Sequence, residues 1–235
     1  MSDLSYLALS GAVAAEQTVE VIANNVANLS TPGYKAQHLS FEQLLTQQKS
    51  ATQHTQVKVG QGYSDMTEGT LKHTGAPLDV ALRGPGFFVV ETAQGPRLTR
   101  QGNFSHASDG TLRTTSGHLV MGSGGPVTAR ADLPLQIDRY GRVLSDGLYV
   151  DTLERQAVHQ QTDLKREGDS LWSVTRPDGA YDVDTQLEVG SIEQSNVSSV
   201  HEMSRLVKTE REFEQYLRLL EVNRQLQQKS ASQLG

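Results

Sequence analysis

The sequence predicts an α+β protein with long N- and C-terminal helices of coiled-coil pattern and a central antiparallel β-rich domain. Three observations lead there. Small and apolar residues recur in steps of four and three from Leu4 to Leu29, the seam of a coiled coil or helix bundle. A second such run opens near Val197 and continues towards Gln233. Between the two the period drops to two, and short alternating segments are separated by pairs such as Asp109-Gly110 and Asp146-Gly147, which is how hairpins are written.

In the first helix the seam is Leu4, Ala8, Gly11, Ala15, Thr18, Ile22, Asn25 and Leu29, and Leu7, Ala12, Ala14, Val19, Val21 and Val26 widen the stripe. Only Asp3, Glu16 and Glu20 carry charge before Lys35, so this helix expects contact on most sides. Ala8, Gly11 and Ala15 let a partner helix approach closely, although Gly11 costs about 1 kcal/mol of helix propensity against Ala. The run ends in Asn24, Asn25 and Asn28. Asparagine competes for backbone hydrogen bonds and tolerates the left-handed conformation, which suits a helix C-terminus. Asn25 lies on the seam itself, where a buried amide sets register. Pro32-Gly33 then fits the centre of a type II turn.

Residues 36–76 are rich in Gln, Thr, Ser and His and read as an extended linker arm, with one short helix-like piece at Phe41, Leu44 and Leu45 and a turn at Gly60-Gln61-Gly62. From Leu78 the strand period begins. Leu78, Val80 and Leu82 alternate with polar or small residues, Gly84-Pro85-Gly86 makes a turn, and Phe87-Phe88-Val89-Val90 is a buried strand. Strands are expected at 97–100, 103–106, 111–114, 118–121, 133–138, 143–144, 148–158, 171–174 and 187–192, with a further turn at Asp178-Gly179. The second helix takes Ser195 or Asn196 as its N-cap. Its seam is Met203, Leu206, Phe213, Leu217 and Leu220, flanked by Val200 and Val207, and the rest of its surface is charged.

Composition narrows the function. With 36% hydrophobic residues in 235, the chain is short of apolar surface for one fully packed core, so part of it expects to bury against something else. A net charge of −6 without a concentrated basic run argues against nucleic acid. There is no cysteine, hence no disulfide and no thiolate metal site. Residues 1–20 lack the basic and apolar regions of a cleaved secretory signal, and no run of about 18 apolar residues is present to span a membrane. The seven histidines show no ligand spacing and the glycine clusters lack the pattern of a phosphate loop. No cofactor, metal or catalytic constellation is expected. Two rivals, hydrolysis of cell-wall glycan by a carboxylate pair and an adhesin on a bundled stalk, have no sequence feature that selects them.

Four sets of residues carry a family likeness: Ala23-Asn24-Asn25-Val26-Ala27-Asn28 with Ser30-Thr31-Pro32-Gly33-Tyr34-Lys35; Leu78-Asp79-Val80-Ala81-Leu82 with Gly86-Phe87-Phe88-Val89-Val90; Leu98-Thr99-Arg100-Gln101-Gly102-Asn103-Phe104 with Asp109-Gly110-Thr111-Leu112; and Ser195-Asn196-Val197 with Arg211-Glu212-Phe213-Glu214. Together they resemble the bacterial flagellar rod and hook family, and the short segment between Phe41 and Pro77 is most similar to its proximal-rod branch, with the distal-rod branch close behind. The resemblance implies a structural subunit without catalysis. Its terminal helices would form a coiled-coil axial domain, ordered by neighbouring subunits, and would transmit torque. It implies export without a cleaved signal through the flagellar type III apparatus, and assembly in the periplasm with further copies and other rod proteins. The implied division is 1–35 axial helix and turn, 36–76 arm, 77–194 β domain and 195–235 axial helix. The expected assembly interface is Leu4, Leu7, Ala8, Gly11, Ala15, Ile22, Asn24, Asn25, Asn28, Leu29, Pro32 and Gly33 at one end, with Asn196, Val200, Met203, Leu206, Val207, Arg211, Phe213, Glu214, Leu217 and Leu220 at the other. The three asparagines are expected to bond backbones of neighbouring subunits.

Overall fold

A computed structural model describes residues 3–47, 53–176, 180–183 and 185–233. The chain forms two compact units: Met1–Leu29, Ala36–Met66 and Val197–Gly235 make the first, and Ser30–Lys35 with Thr67–Asn196 the second. The architecture is α+β, with a helix at each end and strands between.

In the first unit, helix α1 (Asp3–Ala27) and helix α2 (Ser199–Gln233) pack against each other, and strands β1 (Gln37–Gln47) and β2 (Gln53–Ser64) pair antiparallel and also lie against α1. This corrects the reading of 36–76 as a linker arm. Phe41, Leu44 and Leu45 belong to a strand and not to a helical piece, because every second residue is free to pair across a hairpin even where composition is polar. Gly60-Gln61-Gly62 is not a turn either. The register of the hairpin shifts between Leu39 and Phe41, and a Cβ at Gly60 would stand 2.4 Å from Ser40 Oγ, so this glycine makes room for the bulge.

In the second unit the chain runs through β3 (Leu71–His73), β4 (Val80–Leu82), β5 (Phe87–Thr92), β6 (Gly95–Thr99), β7 (Phe104–His106), β8 (Leu112–Thr114), β9 (Leu119–Gly122) and β10 (Gly125–Pro126). It continues through β11 (Leu135–Ile137), β12 (Arg142–Ser145), β13 (Leu148–Thr152), β14 (Arg155–Val158), β15 (Leu164–Arg166), β16 (Leu171–Val174), β17 (Ala180–Asp182), β18 (Leu187–Val189) and β19 (Ser191–Glu193). Among the described residues, the main sheet runs β15-β16-β6-β5-β9-β8-β7, with β14 also against β5. Strand β5 is central: Phe88 pairs with Thr99 and Arg155, and Val90 with Arg97 and Val120. That is why Phe87 to Val90 are all buried, since a strand with neighbours on both edges and layers on both faces has no wet side. Phe88 meets Phe104 edge to face at 5.2 Å, and Leu112, Val120, Ile137, Val143 and Leu153 complete the core.

The turn residues do what their chemistry requires. Asp146 and Gly147 have φ of 50° and 78° between the paired Ser145 and Leu148, a two-residue hairpin loop. At 138–141, where no Asp-Gly pair is present, Asp138 Oδ1 accepts from the Tyr140 and Arg142 N–H groups, and Gly141 supplies the positive φ. The single strand expected over 148–158 is two, broken at Leu153 and Glu154, and that over 187–192 is two, broken at Gly190 with φ of 68°. Strands β15 and β17 carry too few apolar residues to have been visible as strands. Asp178-Gly179 lies outside the described residues.

Candidate functional site

Two constructions gather the residues the sequence singled out, one in each unit. In the first unit the contact between α1 and α2 can be read residue by residue. Ser5 Oγ accepts from Asn223 Nδ2 at 2.7 Å, a Cβ placed on Gly11 would stand 2.5 Å from the Tyr216 ring, and Asn25 Nδ2 reaches Glu202 Oε2 at 3.4 Å. The helices are therefore antiparallel, and the fourteen-residue step from Gly11 to Asn25 matches that from Glu202 to Tyr216, two heptads on each side. Gly11 has no side chain because the Tyr216 ring occupies that space.

The α1 seam follows the expected positions: Ala8, Gly11, Ala15, Ile22 and Asn25 are buried. The side chain of Leu4 lies outside the described residues, and Leu7 is exposed. On α2 the seam keeps Leu206, Phe213 and Leu220 of the expected positions, with Glu202 and Tyr216 in place of Met203 and Leu217. Glu202, Leu206, Thr209, Phe213, Tyr216, Leu220 and Asn223 are buried or half-buried in steps of four and three. Met203, Leu217, Val200 and Val207 instead point to solvent, with Met203 55% and Val200 75% exposed. Apolarity misled here because polar residues stand on the seam: Thr209 is buried there, and the end residues Glu202 and Asn223 bond Asn25 and Ser5 on α1. Arg211 and Glu214 are exposed. Residues 224–233 continue α2 past the Ser5 contact.

Asn25 is wholly buried and its amide reads the first residue of β1 as a strand would: Nδ2 donates to the Gln37 carbonyl and Oδ1 accepts the Gln37 N–H, both at 2.9 Å. Glu202, also buried, is held by Arg205 at 2.9 Å. Asn28 donates to the Asn24 carbonyl at 2.8 Å and tightens the end of α1. These contacts lie within the chain.

In the second unit the turn after α1 is built into a buried ionic cluster. Tyr34 N–H bonds the Thr31 carbonyl and Gly33 has φ of 66°, the bond and the left-handed residue that Pro32-Gly33 predicts. A Cβ on Gly33 would stand 2.5 Å from the Arg100 carbonyl carbon. Lys35 Nζ donates to Glu193 Oε1 at 2.6 Å and to the Thr67 carbonyl at 2.7 Å. The same Oε1 accepts the Gly69 N–H, and Oε2 faces Arg100 Nη1 at 3.4 Å. Arg100 also donates to the Gly84 carbonyl. Lys35 and Glu193 are each 1% exposed. Burial pushes the Lys35 ammonium below its ordinary range, and Glu193 opposes that shift. Beside them Arg166 lies over the Tyr34 ring at 4.2 Å and donates to the Lys35 carbonyl. Asn196 bonds Thr67 and is not the helix cap expected of Ser195 or Asn196, since α2 begins at Ser199, with Glu202 N–H on the Ser198 carbonyl.

The cluster was not legible as such in the sequence. Lys35, Arg100 and Glu193 stand far apart in the chain, and only the first two lie within conspicuous motifs. Among the described residues no group of three His, Asp or Glu is placed to hold a metal ion, and no helix is long and apolar enough to cross a membrane.

Three family models match the chain: "Flagella basal body rod protein" over residues 6–35, "Flagellar hook protein FlgE/F/G D1 domain" over 81–155, and "Flagellar basal body rod FlgEFG protein C-terminal" over 188–234. They cover α1 with its turn, the heart of the β unit, and β18 through α2. The flagellar basal-body rod protein FlgF of Rhizobium meliloti (strain 1021) is 30% identical over 92% of this chain and 90% of its own length. That of Salmonella typhimurium (strain LT2) is 32% identical over 88% and 89%. The rod protein FlgG of Agrobacterium fabrum (strain C58) is 31% identical over 88% and 90%.

Proposed function

The chain belongs to the bacterial flagellar basal-body rod protein family, and from that premise we propose that it is a proximal-rod subunit that polymerises along the rod axis through α1 and α2. It is a structural protein and not an enzyme. The observation that carries the axial reading is the apolar surface left once the two helices have paired: Tyr6, Leu7, Leu9 and Val13 on α1, and Val200, Met203 and Val207 on α2, are exposed. Apolar faces of this extent mark interaction sites. Further copies and other rod proteins cover them, and the helices so buried form the coiled-coil axial domain that transmits torque. Delivery is through the flagellar type III export apparatus to the periplasmic part of the basal body.

The distal-rod reading is favoured by the 31% identity to a FlgG relative. One genetic experiment addresses both. In a strain lacking this chain, a Met203→Glu, Val207→Glu variant is expected to be made as a folded helical protein that does not enter basal bodies. Normal incorporation would remove the axial reading. Basal bodies of the deletion strain that complete the proximal rod and stop there would move the chain to the distal position.

A further inference from the structure

The chain passes between its two units at four points, after Leu29, Lys35, Met66 and Asn196. Inside the second unit the ends of these passages are bonded to one another. Lys35 Nζ donates to the Thr67 carbonyl at 2.7 Å, and Asn196 Nδ2 reaches the carbonyl and hydroxyl oxygens of Thr67 at 3.2 and 3.1 Å. Asn196 N–H meets the Tyr34 carbonyl at 3.4 Å, and Gly33 N–H donates to the Glu193 carbonyl at 2.8 Å. Residues 30–35 thus join a unit from which they are separated in sequence by the whole β1–β2 hairpin. The group that holds them is ionic and buried. An apolar plug of the same volume would stabilise as well, but would not tie three particular backbone segments together. Glu193 does so, because its carboxylate accepts simultaneously from Lys35, Gly69 and Arg100, and removing it would strand two buried cations.

We propose that Lys35, Glu193 and Arg100 form a junction lock, which makes residues 30–35 an integral part of the β unit and presents the chain exits at Lys35, Thr67 and Asn196 as one rigid stub. The lock holds whether or not the terminal helices are paired, and it stands apart from the rod reading. Its consequence is that the rigid body of the protein begins at Ser30, not at the start of the contiguous β segment.

Trypsin and hydrogen exchange test this on the full chain. The bond after Lys35 stays intact while exposed sites such as Arg211 are cut, and the Gly33 and Gly69 amides exchange only with global unfolding of the β unit, like the Val89 amide in β5. Glu193→Gln speeds cleavage after Lys35 by about tenfold or more while the near-ultraviolet signal of Trp172 persists. If that variant loses the Trp172 signal, the exchange pattern of the unsubstituted protein decides. Cleavage after Lys35 as fast as after Arg211, a variant that keeps both its fold and its resistance, or Gly33 and Gly69 amides that open locally ahead of β5, would each overturn the lock.

Discussion

Asn25 shows how one side chain can have two readings until its neighbours are known. An asparagine on a helical seam suggests an interhelical amide, and Asn25 does reach Glu202 on α2, but its shorter bonds close on the backbone of Gln37. Replacing it by alanine removes the amide that bonds the half-buried N–H and carbonyl of Gln37, so Asn25→Ala should cost the first unit about 1–3 kcal/mol. Asn24→Ala, at an exposed position, should cost far less, and urea melts followed by helical circular dichroism would separate the two. Glu154 makes the opposite kind of statement. Burial first, and the Asp182 charge second, raise its carboxyl above the ordinary glutamate range. The folded state then holds this proton more tightly than the unfolded one, so the group's contribution is most favourable in acid and is lost as pH rises through the folded value. Glu154→Gln should therefore stabilise the β unit at pH 7, and the gain should fade below about pH 4. A gain of equal size at both pH values would refute this assignment.

At the scale of elements the two helices differ in how much their sequences reveal. In α1 nearly every uncharged position that buries is also small or apolar, so the periodicity finds the seam. In α2 the apolar residues are divided between a face that meets α1 and one that does not, and periodicity alone joins Met203 and Leu217 to the first. This division is testable without assembly. Phe213→Ala, on the face towards α1, should weaken the first unit by about 1–3 kcal/mol given its partial burial. Leu217→Ala should change monomer stability by less than about 0.5 kcal/mol, so equal losses would show that the seam is misassigned. The hairpin of β1 and β2 was hidden for a different reason. Its composition is that of a linker, and what makes it a pair of strands is a partner strand and a helix to lie against.

For the whole molecule, the division into two units predicts unfolding that is not a single event. The chain has one tryptophan, Trp172, buried in the β unit, whereas the helical signal comes from α1 and α2. Denaturation followed by tryptophan fluorescence and by far-ultraviolet circular dichroism should give separate midpoints, and coincident curves would mean one cooperative block. Most of the architecture was legible beforehand: helices at both ends, many short strands between, glycine turns such as Pro32-Gly33 and Asp146-Gly147, and a family likeness on both termini and the centre. Those features are local, because hydrophobic period and turn chemistry act over a few residues. The junction was not legible. Lys35, Arg100 and Glu193 are charged residues that, taken singly, belong on a surface, and their burial depends on three distant segments meeting so that each charge finds a partner. Pairing across such sequence distances leaves no periodic trace, so the turn at Pro32-Gly33 could be read from its residues, while the buried cluster that fixes it required the fold.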